Sequence, residues 1–202
     1  MKLVIMTKST FFVEEDKILA TLFEEGMENL HLCKPNSSPM YSERLLTLLP
    51  ENYYRRITVH DHFYLKAEYG LAGIHLDQPD AALPEKYKGR FSRTCYAIDQ
   101  LKAAKKKAEY VFLGKLFKGI TNPEDEPAYT LDELKAASRQ GLIDKHVYAL
   151  GGMSLDNIRL AKDLGFGGVV ICGDLWNRFD IHNELDYKAL IGHFLKLKKA
   201  TS

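Results

Sequence analysis

Short β-rich runs alternate with amphipathic helical patterns from one end of this chain to the other. Eight runs have the length and the apolar or β-branched content of strands, at residues 2–6, 29–32, 56–59, 73–76, 90–95, 110–113, 146–150 and 168–172. Between them, apolar residues at three- and four-residue spacing predict helices over residues 14–25, 42–49, 98–107, 131–140 and 155–164. Such alternation is typical of parallel βα units, and it restricts the chain to a few α/β architectures.

The number of predicted strands favours a closed barrel. Eight βα units predict a (β/α)₈ TIM barrel, here a short single domain over residues 1–202. A doubly wound open sheet is the alternative, but its glycine fingerprint belongs directly after the first strand, and residues 2–8 contain no glycine. With 46% hydrophobic residues, the chain has enough apolar side chains to bury one sizeable core.

Composition excludes several classes of partner. The 28 Lys and Arg residues balance 27 Asp and Glu residues, which disfavours binding to nucleic acid or to an anionic membrane. Three cysteines, Cys33, Cys95 and Cys172, without zinc-like spacing are typical of a reducing compartment. The apolar run at residues 3–6 is too short for a signal peptide, and no stretch reaches the length of a membrane span. We therefore expect a cytoplasmic protein. The sequence leaves open whether it forms a homodimer.

Two glycine turns follow the last two predicted strands. Gly151 and Gly152 end one run, and Ser154 stands where the next helix is predicted to begin. Cys172 and Gly173 end the last run. Backbone N–H groups at such turns bind anions, and in many (β/α)₈ barrels the loops after strands 7 and 8 hold a phosphate group. The pair predicts a phosphorylated ligand, whereas either glycine alone would fit an ordinary tight turn.

Polar side chains stand at the predicted C-terminal ends of the other strands, where barrels of this kind carry their chemistry. Among them are His31, Cys33, Lys34, His60, Asp61, His75, Asp80, Thr94, Thr121 and Asn122. Together with His62, three of these are histidines that a zinc ion could use, but their spacing does not specify a site. No partner base is identifiable for a cysteine nucleophile, so Cys33 and Cys172 are not interpreted as catalytic.

The order and spacing of these motifs resemble thiamine-phosphate synthase and its relative, the TenI-like thiazole tautomerase, over nearly the whole chain. Where the family has Gln-Leu-Arg-Glu-Lys after strand 2, this chain has residues 31–35, and the family's Asn-Asp pair is matched by His60-Asp61. Its His-x-Gly-Gln-x-Asp motif is similar to residues 75–80, its Ser to Thr94, its Thr-x-Thr-Lys loop to residues 119–122, and its Gly-Gly pair to Gly151-Gly152.

The resemblance implies a transferase of thiamine biosynthesis that joins a hydroxymethylpyrimidine diphosphate to a thiazole phosphate and releases pyrophosphate. It implies Mg²⁺ as the cofactor, held by Asp61 and Asp80, because Mg²⁺ prefers carboxylates and phosphate oxygens. Lys34 and Thr94 would help pyrophosphate to depart as the catalytic residues. Substrate binding would fall to His31, Cys33, His60, Thr121, Asn122, Gly152, Cys172 and Gly173.

This chain departs from the family pattern at several positions. Cys33 replaces an Arg and Asn122 replaces a Lys, so cationic charge is lost where pyrophosphate would bind. Tyr96 stands where the tautomerase branch has a proton-shuttling His. Two alternatives therefore stay open: a TenI-like tautomerase acting on a thiazole phosphate alone, and a barrel that binds thiazole or thiamine phosphates without catalysis.

Overall fold

The computed structural model, which describes residues 1–178 and 187–202, has a closed barrel of eight parallel strands. Each strand pairs with its neighbours in sequence, and β8 closes the barrel against β1 through the register Lys2↔Gly168 to Ile5↔Ile171. The strands are β1 Lys2–Met6, β2 Leu30–Leu32, β3 Ile57–Val59, β4 Gly73–Leu76, β5 Phe91–Cys95, β6 Val111–Leu113, β7 Val147–Ala149 and β8 Gly168–Ile171. The predicted (β/α)₈ TIM barrel is confirmed.

Helices connect most of the strands on the outside of the barrel, whereas a loop without a helix joins β4 to β5. They are α1 Glu15–Glu24, α2 Pro39–Leu48, α3 Tyr64–Tyr69, α4 Leu101–Ala104, α5 Leu131–Arg139, α6 Ile158–Asp163, α7 Gly173–Trp176 and α8 Tyr187–Thr201, with 3₁₀ turns at Glu51–Arg56 and Ile98–Gln100. The sequence interpretation omitted α3, α7 and α8. The first two are too short to show a period, but α8 buries Leu190, Phe194 and Leu197 at helical spacing and was overlooked.

The two helix starts read from the sequence have different outcomes. Thr130 caps α5 as expected: its hydroxyl accepts from the Glu133 N–H at 3.2 Å, and the Glu133 carboxylate accepts from the Thr130 N–H at 2.7 Å. The predicted helix start beside Ser154 is wrong, since α6 begins at Ile158. The reason is Asn157, whose side chain accepts from the Ser154 N–H and holds the intervening residues in a turn.

The interior of the barrel has an apolar half and a polar half. Because side chains alternate along a strand, every second residue points inward. In β1, β6 and β8 the buried inner residues Val4, Phe112 and Val170 form one apolar cluster. In β2 to β5 the buried inner residues are polar: His31, Thr58, His75, Ser92 and Thr94. A barrel that places five polar side chains inside must give them hydrogen-bond partners.

A larger apolar cluster lies between the strands and the helices around them, and it supplies most of the hydrophobic burial. Trp176 of α7 is fully buried in this cluster, and its indole N–H donates to the Met6 carbonyl at 2.7 Å. That bond ties the turn after β8 to the end of β1. Of the helices that the structure describes, none combines the length and the apolar composition of a membrane span.

Candidate active site

A cavity of about 320 Å³ opens at the C-terminal ends of the strands, among the loops that follow β1, β2, β6, β7 and β8. Its lining is mainly apolar and includes Met6, Phe117, Ile120, Leu150, Met153 and Val170. Among the lining residues that the structure describes, Lys115 is the one with a cationic side chain. Its amino group is bound to the Asp125 carboxylate at 2.5 Å. The cavity therefore suits a small, largely apolar molecule with a limited anionic part.

Gly151, Gly152, Cys172 and Gly173, which we call the glycine cradle, form one wall of this cavity. Gly152 has a φ of +62°, and a Cβ there would lie 2.3 Å from the Lys118 carbonyl oxygen. A Cβ on Gly173 would lie 2.8 Å from both Ile120 and Thr121. Glycine is thus required because the loop between β6 and α5 packs directly against both turns, and without a Cβ a ligand can approach the backbone of these residues closely.

One side chain holds the first turn of the glycine cradle together, and another fastens the two turns to each other. The Asn157 amide donates to the Gly152 carbonyl at 2.9 Å. The buried Asp174 carboxylate, one residue after Gly173, accepts from the Leu155 N–H at 3.1 Å and also binds His193 and Arg178. Since these bonds hold both turns in place before any ligand arrives, the cradle is preorganised. The sequence interpretation did not identify either residue.

Lys34 is buried, and its amino group is bound within the protein. Its Nζ donates to Glu15 Oε1 at 2.5 Å and to the Thr10 carbonyl at 2.9 Å, and it lies 4.5 Å from the centroid of the Phe11 ring. Burial lowers the pKa of Lys34 and raises the pKa of Glu15, since each charge loses its hydration. The pair offsets these costs by its own attraction. In this arrangement the predicted pyrophosphate-binding amino group has a carboxylate partner already.

The polar half of the barrel interior contains a continuous chain of hydrogen bonds. Tyr110 OH meets His31 Nε2 at 2.7 Å, His31 Nδ1 meets His60 Nε2 at 2.8 Å, and His60 Nδ1 meets Asp77 Oδ1 at 2.7 Å. One tautomer assignment satisfies all three contacts: each O–H or N–H donates toward Asp77. Asp77 is about half exposed, with 48% of its side chain accessible, so this chain of hydrogen bonds runs from the barrel interior to solvent.

His75 lies beside this chain. Its two ring nitrogens meet the hydroxyls of Ser92 at 2.6 Å and Thr94 at 2.8 Å, and its ring stacks on His60 with centroids 4.3 Å apart. Thr94 is therefore buried and bound to His75. Its hydroxyl can position that imidazole, and Thr94 is not among the residues that line the candidate cavity.

Carboxylates surround Cys33 at the entrance to the barrel interior. Burial and then the charges of Asp77 and Asp61 raise the pKa of the Cys33 thiol to about 12, so it stays protonated. One Asp61 oxygen accepts from the Lys34 N–H at 3.1 Å. Asp80 is exposed and lines a neighbouring cavity with Gln78 and Arg93. The carboxylate that faces Cys33 together with Asp61 is thus Asp77, which the sequence interpretation did not select.

The buried histidines predict a pH dependence of stability. Burial, and next the neighbouring His60, lowers the pKa of His31 and of His75 well below 6.5. Below pH 6.5 the unfolded chain binds protons that the folded chain does not, so the free energy of unfolding should fall as the pH falls. Urea unfolding at about pH 7.5 and about pH 5.5 measures this slope. His75→Gln should make it shallower, and His146→Gln, at an exposed site, should not. Equal slopes in both variants would contradict the assignment.

The structure divides the predicted site residues into three groups. Cys33, Thr121, Asn122, Gly152, Cys172 and Gly173 line the candidate cavity together. His31, His60 and Thr94 belong to the polar interior, which opens beside the cavity through Asp77. Lys34 and Asp61 lie beside Cys33 with the partners given above, and Asp80 lines the neighbouring cavity. Glu15 and Tyr110 were missed because only the fold brings them next to Lys34 and His31.

A closed barrel with a cavity and a glycine cradle at the C-terminal ends of the strands defines the class: a (β/α)₈-barrel protein with its candidate site where barrels of this fold carry their active sites. The family model described as thiamine monophosphate synthase matches residues 41–175. The chain belongs to this family.

Curated relatives include the thiamine-phosphate synthase of Nitrosococcus oceani, 28% identical over 136 residues that cover 64% of this chain and 61% of that protein. The enzyme of Caldicellulosiruptor bescii is 31% identical over 130 residues, covering 61% and 58%. In these matches the chain spans about three fifths of the relatives' length.

Two solved structures extend the comparison to the whole chain. The crystal structure of thiamine phosphate pyrophosphorylase from Bacteroides thetaiotaomicron is 48% identical, covers 99% of this chain and 97% of that one, and superposes with a TM-score of 0.90. Thiamine phosphate pyrophosphorylase from Pyrococcus furiosus is 18% identical, covers 99% and 95%, and has a TM-score of 0.75, which shows the shared fold.

Proposed function

We propose that this chain is a transferase of the thiamine-phosphate synthase type, which joins a hydroxymethylpyrimidine diphosphate to a thiazole phosphate and releases pyrophosphate. The observation that carries the proposal is the preorganised glycine cradle on an apolar cavity of about 320 Å³. A flat heterocycle with one phosphate group matches both parts of this cavity, because the ring contacts apolar side chains and the phosphate meets backbone N–H groups.

The thiazole phosphate would lie with its phosphate at Gly152 and Gly173. Backbone donors bind phosphate irrespective of side-chain identity, so Cys172 is compatible with this role. Thr121, whose hydroxyl is 3.9 Å from the Cys172 sulfur, lines the same wall. Met6, Leu150 and Val170 would contact the ring. In this position the thiazole is held ready to attack a pyrimidine at the entrance side of the cavity.

The pyrimidine diphosphate would lie toward Asp61 and Asp80, at the ends of β3 and β4. These residues would hold Mg²⁺ through their carboxylate oxygens, the ligands that it prefers, and the bound ion would supply the positive charge that neutralises the departing pyrophosphate. The departing group leaves a carbocation-like pyrimidine, which the thiazole nitrogen traps. In this scheme Cys33 and Asn122 contact the diphosphate, His60 orients Asp77 beside it, and Thr94 positions the His75 ring.

Cys33→Arg is expected to raise transfer activity. The guanidinium would restore a bidentate phosphate donor beside Asp61 and Asp77, where the chain now has a protonated thiol. We expect about tenfold higher kcat/KM, equivalent to about 1.4 kcal/mol in the transition state. The assay follows product formation from both phosphorylated precursors with Mg²⁺. Cys33→Ser, which adds no charge, is the matched control. No turnover in either the parent or Cys33→Arg would contradict the proposal.

Binding without transfer is the second candidate, and the ion pairs favour it: Lys34 and Lys115 are both bound to carboxylates. Calorimetry would then detect thiazole phosphate or thiamine phosphate while no product forms. The tautomerase alternative has less support, because burial raises the pKa of Tyr96 and keeps its hydroxyl protonated. Isomerisation of a thiazole phosphate as the single substrate, without a metal ion, would instead favour the tautomerase over binding without catalysis.

A further inference from the structure

Three buried histidines converge inside the barrel, at the mouth of its polar half. His31 comes from β2, His75 from β4, and His60 directly follows β3. One ring nitrogen of each lies within 4.8 Å of a ring nitrogen of each of the others. Among the residues that the structure describes, this is the group of three ligand-type side chains that are close enough to share one ion.

Each of these rings is also held at its other nitrogen. His60 Nδ1 is bound to the Asp77 carboxylate, and His31 Nε2 is bound to the Tyr110 hydroxyl. Whichever nitrogen of His75 turned to an ion, the other would keep a hydroxyl partner, Ser92 or Thr94. A metal-binding histidine almost always has such a partner, because it sets the tautomer and the ring orientation.

We propose that His31, His60 and His75 bind a divalent transition-metal ion of the zinc class. The ion would replace the His31 Nδ1 to His60 Nε2 hydrogen bond, whose nitrogens are 2.8 Å apart. Tetrahedral zinc with bonds of about 2.0–2.1 Å needs nitrogens ~3.3 Å apart, so the His31 and His60 rings would separate by ~0.5 Å and the His75 nitrogen, which lies within 4.8 Å of theirs, would approach by up to ~1.5 Å. The proton of that hydrogen bond moves to His31 Nε2, which then donates to the Tyr110 oxygen, and no net proton is released.

The donor chemistry distinguishes this site from the Mg²⁺ site of the proposed function. Imidazole nitrogens suit zinc, cobalt, nickel and copper, whereas Mg²⁺ prefers carboxylate and phosphate oxygens. Three histidines leave a fourth position for water or another ligand, as in metal sites that carry chemistry. The Asp77 carboxylate, about half exposed and 4.0 Å from His75 Nε2, lies beside the three rings.

The test is a titration of the untagged full-length protein with Co²⁺, without substrates. We expect one Co²⁺ per chain, with the visible absorption bands of tetrahedral cobalt. Zn²⁺ should displace it and an excess of Mg²⁺ should not. His60→Gln should abolish the bands. His62→Gln is the matched control, because His62 lies two residues further on and contacts the Ser37 carbonyl instead. Absence of these bands in the parent, or their persistence in His60→Gln, would overturn the proposal.

A second pair of variants tests the site without removing a ligand. Asp77→Asn and Tyr110→Phe leave all three rings in place but remove the partners of His60 and His31. Each should weaken the affinity for Co²⁺ by about 10–100-fold. Unchanged affinity in both would show that the ion binds elsewhere. Because no substrate is present, this result is independent of whether the chain catalyses transfer.

Discussion

Glu15→Gln is expected to lower the free energy of unfolding by about 3–5 kcal/mol, the effect of breaking a buried ion pair. The substitution is nearly isosteric, so the loss comes from the charge and not from a cavity. Lys34 would then hold an ammonium group at 1% side-chain exposure without a carboxylate partner at Glu15. Urea unfolding at neutral pH, followed by circular dichroism, measures the change.

The matched control is Glu24→Gln, which removes an exposed carboxylate from the other end of α1. We expect it to change stability by less than about 0.5 kcal/mol. The double variant Glu15→Leu/Lys34→Met, which removes both charges, should recover most of the stability. If Glu15→Gln is as stable as Glu24→Gln, then the ion pair does not hold Lys34, and that amino group is free to bind pyrophosphate.

Gly152→Ala is expected to weaken the binding of thiazole phosphate by at least about tenfold, or ~1.4 kcal/mol. The added Cβ would lie 2.3 Å from the Lys118 carbonyl and 2.8 Å from the Phe117 carbonyl carbon, so the loop between β6 and α5 must move away from the turn. The backbone N–H groups of the glycine cradle would move with it. Calorimetric titration with thiazole phosphate measures the affinity.

The control separates the steric clash from the strain of a positive φ. Gly141 has a φ of +71°, and a Cβ there would meet nothing within 4 Å. Gly141→Ala therefore carries the conformational cost of about 1–2 kcal/mol in stability without disturbing the cavity. Equal affinity in Gly152→Ala and the parent would mean that the ligand does not bind at the glycine cradle.

The secondary structure was predictable because it depends on local patterns. The strand predictions agree with the structure within one or two residues, since each run is short and combines apolar or β-branched residues with a boundary of polar or glycine residues. The capping box at Thr130 is equally local. Ser154 shows the limit of local patterns. The neighbouring residues predict a helix start there, but the Asn157 amide binds two backbone groups of the same turn, and the helix begins only at Ile158.

By itself, the sequence determined the barrel, the order of its elements and the position of the polar residues at the strand ends. The reason is that strand and helix periods depend on residues that are close together in the sequence. Only the tertiary structure decided which of those residues meet. Glu15 is bound to Lys34 across 19 positions and Tyr110 to His31 across 79, and three histidines converge from β2, from β4 and from the residue after β3. In a closed barrel, the register between strands and the inward direction of each side chain set these distances. No pattern of neighbouring residues in the sequence contains that information.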